Sequence, residues 1–231
     1  NEYLGYSNIR QSIVYSMNIV AVRCLMETVS PALAFEYLEN YGFTTLVDSR
    51  TESDGSVTSD INPSLALGGL TDGVTNLEVT AAYAAIANGG VYTKPIFYTR
   101  ILDKDGNVLI ENEPETRIVM KESTAFLLTN AMEETMDGQM YPSTNPRSGI
   151  SGTGRAADVA GMSIAGKTGT TTSTYDTWFA GFSPYYTATI WTGYDENETI
   201  RLSESYHKRI WSAIMTRIHE GLPDIGFSVP T

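Results

Sequence analysis

Lys167-Thr168-Gly169-Thr170 gathers in four residues the groups that hold a carboxylate and a peptide. The lysine supplies a positive charge and the hydroxyls supply short, orientable donors. The glycine removes a side chain where a second backbone must come close. The surrounding run, Ala165 to Phe182, reads as a hairpin of two strands, which puts the motif on an exposed strand edge. This is the substrate-holding half of a serine acyl-transfer site. A solvated edge strand with ordinary turn chemistry would carry the same residues, so the context must decide.

The complementary half has one candidate near the N-terminus, Ser16-Met17-Asn18. Its hydroxyl could shuttle a proton and its amide could hold a substrate carbonyl. A polar helix junction is the plainer explanation of so short a string. One S-x-x-K string exists, Ser205-Tyr206-His207-Lys208. It opens the closing helix, where a serine and a lysine are expected as ordinary surface residues.

The elements that must position these groups follow from periodicity and punctuation. Residues 8–29 are apolar at helical spacing with a polar interruption at Ser16 and Asn18, which predicts two helices or one broken helix. Ser30-Pro31 opens a further helix that Gly42 stops, with Leu33, Tyr37, Leu38 and Tyr41 as its apolar face. Residues 48–62 form a polar surface loop. Thr75-Asn76-Leu77-Glu78 is a capping box that starts an alanine-rich helix ending at Asn88-Gly89-Gly90. Residues 96–102 and 108–111 flank a hairpin turn, and residues 121–136 form an amphipathic helix. A long polar loop, 137–161, precedes three antiparallel strands at 164–170, 177–183 and 186–194. A helix over 203–220 closes the chain, with Trp211, Ile214, Met215 and Ile218 on one face. The fold class is α+β, an antiparallel sheet flanked by helices.

The 231 residues suffice for one sizeable core, and hydrophobic residues make up 42% of them. A net charge of −12 argues against nucleic acid as a partner, because phosphate binding calls for basic stripes. No apolar run approaches a membrane span and no basic-then-apolar leader is present, so the chain reads as an excised soluble piece. Cys24 is expected to be a buried, inert thiol. His207 and His219 lack partners at metal-ligand spacing, and no metal or organic cofactor is called for.

Taken together, Ser16-Met17-Asn18 and Lys167-Thr168-Gly169 match the second and third elements of the S-x-x-K, S-D-N and K-T-G set, in that order. The resemblance extends through Leu65 to Leu70, Gly73 to Glu78, Ala87 to Tyr92, Gly152 to Ala157, Gly166 to Thr172 and Trp191 to Asp195. On these residues the chain resembles the C-terminal part of a class A penicillin-binding protein transpeptidase domain. The departure is the first element. The family's nucleophilic serine and its lysine lie upstream of the second motif, and this chain begins just before that motif.

The resemblance implies a penicillin-binding protein or serine β-lactamase-like fold over 1–231, incomplete for want of the nucleophile helix. It implies a parent that also carries a glycosyltransferase domain and a membrane anchor, on the extracellular face of the bacterial membrane. The chemistry implied is acyl transfer on D-alanyl-D-alanine stem peptides of peptidoglycan, with β-lactam antibiotics as mimics. Lys167, Thr168 and Thr170 would hold the donor carboxylate, and Gly169 would admit its backbone. The Thr170 N–H would form half of the oxyanion hole, Ser16 would relay a proton, and Asn18 would bind the acyl-side amide. Without the nucleophile the chain alone is expected to be inactive. It should need the missing part of the same domain, or expose an apolar groove that favours self-association. Two other readings stay open on the sequence. One is a β-lactamase or β-lactam sensor of the same fold, and the other is a non-catalytic binding module.

Overall fold

The motif lies on an edge strand. In a computed structural model, which describes residues 6–137, 152–203 and 205–230, β7 (Ala165–Thr170) pairs antiparallel with β8 (Asp176–Phe182), and β8 with β9 (Thr187–Gly193). The described residues also form six α-helices: α1 (Ile9–Tyr15), α2 (Asn18–Cys24), α3 (Pro31–Asn40), α4 (Asn76–Ala87), α5 (Glu122–Asp137) and α6 (Tyr206–Ile218). Three short pairs complete the strands. They are β1 (Arg50–Thr51) with β2 (Val57–Thr58), β3 (Val91–Thr93) with β6 (Thr116–Ile118), and β4 (Arg100–Leu102) with β5 (Val108–Glu111). The fold is α+β, with helices on both sheet faces.

Strand alternation assigns the faces. Phe179 meets Trp211 of α6 edge-on, at 4.9 Å between ring centroids, within a cluster that includes Ile164 and Met215. Phe182, of opposite parity, packs with Ala165 and Met132 of α5. Register pairs Thr168 with Phe179 and Lys167 with Ala180. The threonines of the motif therefore lie on the α6 face, and Lys167 lies on the α5 face.

The N-terminal break falls where the polar residues interrupt the pattern. A capping box at Asn8 and Gln11 starts α1, which ends at Ser16 in the left-handed region (φ 52°). Arg10 ties α1 to α5 by donating to Glu134 at 2.6 Å and to Asn130 at 2.9 Å. The capping box at Thr75 forms as expected, and Glu78 also accepts from the Thr44 N–H at 2.7 Å. Buried Ala81 and Ala85 of α4 pack with Tyr92 of β3 and with Val119, and α4 also lies against β8 and β9.

Several expectations fail locally. The α3 face is set by Phe35 with Leu38, while Leu33 and Tyr37 are exposed. On α6 the buried stripe is His207, Trp211 and Met215 at spacing four, so Ile214 and Ile218 face outward. Cys24 is half-buried. The stretch 48–62 contains β1, β2 and a buried carboxylate, Asp60, which accepts from the Val47 and Thr71 backbone N–H groups. β3 pairs with β6 although no local pattern announces it, and residues 25–29 form a π-helical turn after α2. Most of the expected loop at 137–161 lies outside the described residues.

Candidate functional site

The two candidate motifs meet. The Lys167 ammonium donates a short hydrogen bond to the Ser16 hydroxyl, and also donates to the Thr168 carbonyl at 3.1 Å. Around this contact lies a cleft of about 610 Å³, lined by Ser16, Asn18, Lys167, Thr168, Gly169 and Thr170, with Tyr83 and Thr153 beside them.

Ser16 is aimed by its backbone. As the C-cap of α1 its N–H bonds back to Ile13, and the Ser12 hydroxyl fixes the turn by donating to the Met17 carbonyl at 3.2 Å. Left-handed backbone costs a non-glycine residue roughly 1–2 kcal/mol, which the packing of α1 on α5 must offset. Asn18 begins α2 and is exposed at the cleft rim.

Lys167 is half-buried, where an exposed strand edge was expected. Burial pushes its ammonium down to about pKa 8, and the charge of Lys208 pushes in the same direction. Burial raises the Tyr83 phenol to about 12, so at neutral pH it can only donate or accept as a neutral hydroxyl. No acidic side chain is among the described residues lining the cleft.

Glycines hold β7 in place. A Cβ on Gly166 would meet the Phe179 ring at 2.6 Å and the Ala180 carbonyl at 2.8 Å. The buried Thr135 hydroxyl donates to the Gly166 carbonyl at 2.9 Å, which pins the strand to α5.

Two residues at the site escaped the sequence reading. Thr153 receives a bond from the Thr168 hydroxyl at 3.2 Å, and its N–H reaches the Val14 carbonyl. Lys208, expected to be an ordinary surface lysine, is half-buried and donates to the Thr153 carbonyl at 3.0 Å. Residues Gly152 to Ala157 carry part of the family resemblance, but nothing in their spacing points to the cleft. The S-x-x-K string remains out of place: it follows the Lys-Thr-Gly motif in the chain, and its lysine reaches the Thr153 carbonyl on the α6 side of β7.

A second serine pair is structural. Ser183 bonds His219 Nε2 at 2.6 Å, both of them buried, and its hydroxyl oxygen also accepts from the Tyr185 and Tyr186 N–H groups. That arrangement locks the β8–β9 connection and leaves no attacking lone pair free.

This geometry agrees with what the chain is similar to. Residues 1–216 match the family described as penicillin binding protein transpeptidase domain. Penicillin-binding protein 1A of Clostridium botulinum is 33% identical over 222 residues, which cover 96% of this chain and 24% of that protein. Penicillin-binding protein 2D of Bacillus subtilis is 38% identical over 186 residues, covering 78% of this chain and 26% of that protein. Thus the chain spans about a quarter of the length of these curated relatives. The penicillin-binding protein PonA1 of Mycobacterium tuberculosis superposes with a TM-score of 0.77 at 22% identity, over all of this chain and 61% of that one. A PonA1 structure in complex with penicillin V superposes at 0.75. The chain belongs to the penicillin-binding protein transpeptidase family, with class A proteins among its relatives.

Proposed function

We propose that the full-length protein containing this chain is a serine D,D-transpeptidase that cross-links peptidoglycan, with residues 1–231 as the C-terminal portion of its transpeptidase domain. The observation that carries this reading is the bond from Lys167 to Ser16 inside a cleft walled by the motif strand. A serine outside this chain attacks the penultimate D-alanyl carbonyl carbon. The carbon–nitrogen bond breaks, and D-alanine leaves with a proton relayed by Ser16. An amine of a second stem peptide then attacks the ester and releases the serine.

Lys167, Thr168 and Thr170 hold the donor's terminal carboxylate, Gly169 lets its backbone approach, and Asn18 binds the acyl-side amide. The Thr170 N–H is half of the oxyanion hole, a donor typically worth about 2.7–4 kcal/mol of the barrier. β-Lactams acylate the same serine; the similar protein PonA1 has a structure in complex with penicillin V. The protein works on the extracellular face of the bacterial membrane, carried by an upstream anchor.

The chain alone is inactive on this reading, since a missing nucleophile costs on the order of a millionfold in rate. Helix α2 supports the need for a covering segment: it buries none of its residues, and Ile19 is 62% exposed. Incubating the full-length protein and the 231-residue chain with fluorescent penicillin tests the reading. A stable adduct on the first and none on the second is expected. Failure of the full-length protein to be labelled, or rapid hydrolytic turnover of the drug, overturns it.

A further inference from the structure

Away from the cleft, β4 and β5 pair with each other and have no other helix or strand packed closely on them among the described residues. The apolar side chains of this ribbon stay outside: Ile101, Leu102, Val108, Leu109 and Ile110 are between 40% and 64% exposed. A two-stranded ribbon alone is marginally stable in water, and an uncovered apolar edge is a template for a further strand.

The free edge of β4 is regular. The Asn112 N–H donates to the Thr99 carbonyl at 2.7 Å, and the Asp103 N–H donates to the Asn107 carbonyl at 2.9 Å. Thr99, Ile101 and Asp103 therefore turn their backbone groups toward β5, and Arg100 and Leu102 turn theirs away. The one irregularity lies on the other strand. Ile101 pairs with Ile110 and Leu102 with Val108, so Leu109 is the extra residue of a bulge. No proline guards the edge between residues 97 and 111.

Charge and register select the partner. Residues 97–111 carry Arg100 and Lys104 against Asp103, Asp105 and Glu111, a net of −1 in a chain of −12. Arg100 stands opposite Glu111, and Lys104 pairs with Asp105 at 2.9 Å. Two copies of so acidic a chain repel one another, and this nearly neutral ribbon is a place where they can touch. The edge is also self-complementary. About a two-fold axis at Ile101, the outward groups of Arg100 bond those of Leu102 in the second copy, and the reverse. Ile101 then faces its own equivalent, and Ile110 and Ile101 of both copies run in one row across a four-stranded sheet. No charged side chain stands directly opposite its like.

We propose that the β4 edge is a self-association surface, on which a second copy of this chain adds its own β4 antiparallel, in the register that sets the two Ile101 side chains face to face. The buried area is on the order of 1,000 Å² in total, the low end for specific association, which gives a dimer of roughly micromolar strength. None of residues 97–111 lines the cleft, and the proposal does not rest on the acyl-transfer reading.

Cross-linking of the full-length protein, with its native cysteines replaced by serine, tests the register. Ile101→Cys should give a disulfide-linked dimer on mild oxidation, since residues opposed at such a position have Cα atoms ~4.5 Å apart. Arg100→Cys and Leu102→Cys should link at least about tenfold more slowly, because each meets its own equivalent on the diagonal, roughly 8–9 Å away and beyond disulfide reach. Sedimentation should show a monomer–dimer equilibrium near micromolar concentration. Among variants with unchanged circular dichroism, Ile101→Lys puts two ammonium groups on the axis and should weaken association more than about tenfold, while Ile101→Val should hold it within about threefold. A protein that stays monomeric at about 50 μM overturns the proposal. So does equal cross-linking at all three positions, or association unchanged by Ile101→Lys. A monomer whose Ile101→Cys thiol resists alkylation also overturns it, and assigns the edge to another part of the same polypeptide.

Discussion

The ammonium of Lys167 reaches the hydroxyl of Ser16, a residue 151 positions earlier in the chain. If Ser16 relays the proton to the leaving group, removing its hydroxyl should slow acylation of the full-length protein by about 10²–10⁴-fold. Ser16→Gly is the informative variant, because glycine accepts the left-handed backbone at this position without strain. Stopped-flow labelling with fluorescent penicillin should show the loss, while the urea midpoint holds or rises. Retained acylation in Ser16→Gly would remove the proton-relay role.

Carboxylate binding should fade as the solution becomes alkaline. Burial and Lys208 hold Lys167 down to about pKa 8. Above that pH the cleft loses its cation, and the affinity for a carboxylate ligand should fall by up to about tenfold per pH unit. A bound carboxylate favours the charged form, which shifts the break upward in the complex. Lys208→Met removes one of the two causes and should move the break in the free protein to higher pH. Equilibrium binding of N-acetyl-D-alanine between pH 7 and about 10 checks both statements.

Acid should destabilise the domain partly through His207. Burial and the Lys208 charge hold its folded-state value down to about 4, below the usual 6.5. Between those values the unfolded chain binds a proton that the native ring refuses, so stability falls as pH drops from about 6.5 toward about 4. The contribution is about 1–2 kcal/mol once solvent screening is allowed for. Urea unfolding of His207→Gln should show a correspondingly shallower decline over that range, and an unchanged slope would exclude the residue as its source.

Gly166 and Gly169, three residues apart, should respond differently to alanine. At Gly166 the new methyl would collide with Phe179 and the Ala180 carbonyl inside the sheet, costing about 1–3 kcal/mol and displacing Lys167. At Gly169 the nearest obstacle is the Trp178 Cβ at 3.2 Å, a contact that a few tenths of an ångström relieves. Gly169→Ala should therefore hold its unfolding midpoint near wild type and lose ligand affinity instead, since it fills the approach to the strand. Paired thermal melts and ligand titrations separate the two effects.

Much of this arrangement was legible from local signals. Capping boxes at Thr75 and the polar break at Ser16 announce themselves within a few residues, and both form as read. The three strands after residue 164 follow from alternation and turn chemistry. Features that depend on distant partners stayed hidden. The pairing of β3 with β6 joins segments more than twenty residues apart by backbone bonds that leave no side-chain pattern. Ile214 and Met215 are equally apolar, and only packing on β8 and β9 decides that Met215 turns inward with His207 and Trp211. Lys208 looked like a solvated helix-start lysine because its partner, the Thr153 carbonyl, lies 55 residues away and carries no signature.

The span between Ser16 and Lys167 also bears on how the chain matures. Closing a loop of that length costs about 4–5 kcal/mol in chain entropy. The hairpin of β7 and β8 needs only local contacts, and so do α1 and α2, so each can form before the two halves of the cleft meet. Docking of α1 on α5, through Arg10 and Glu134, must supply the energy of that late step. A ligand that bridges the halves captures only the assembled form, and so acts as a folding chaperone for the very cleft it occupies.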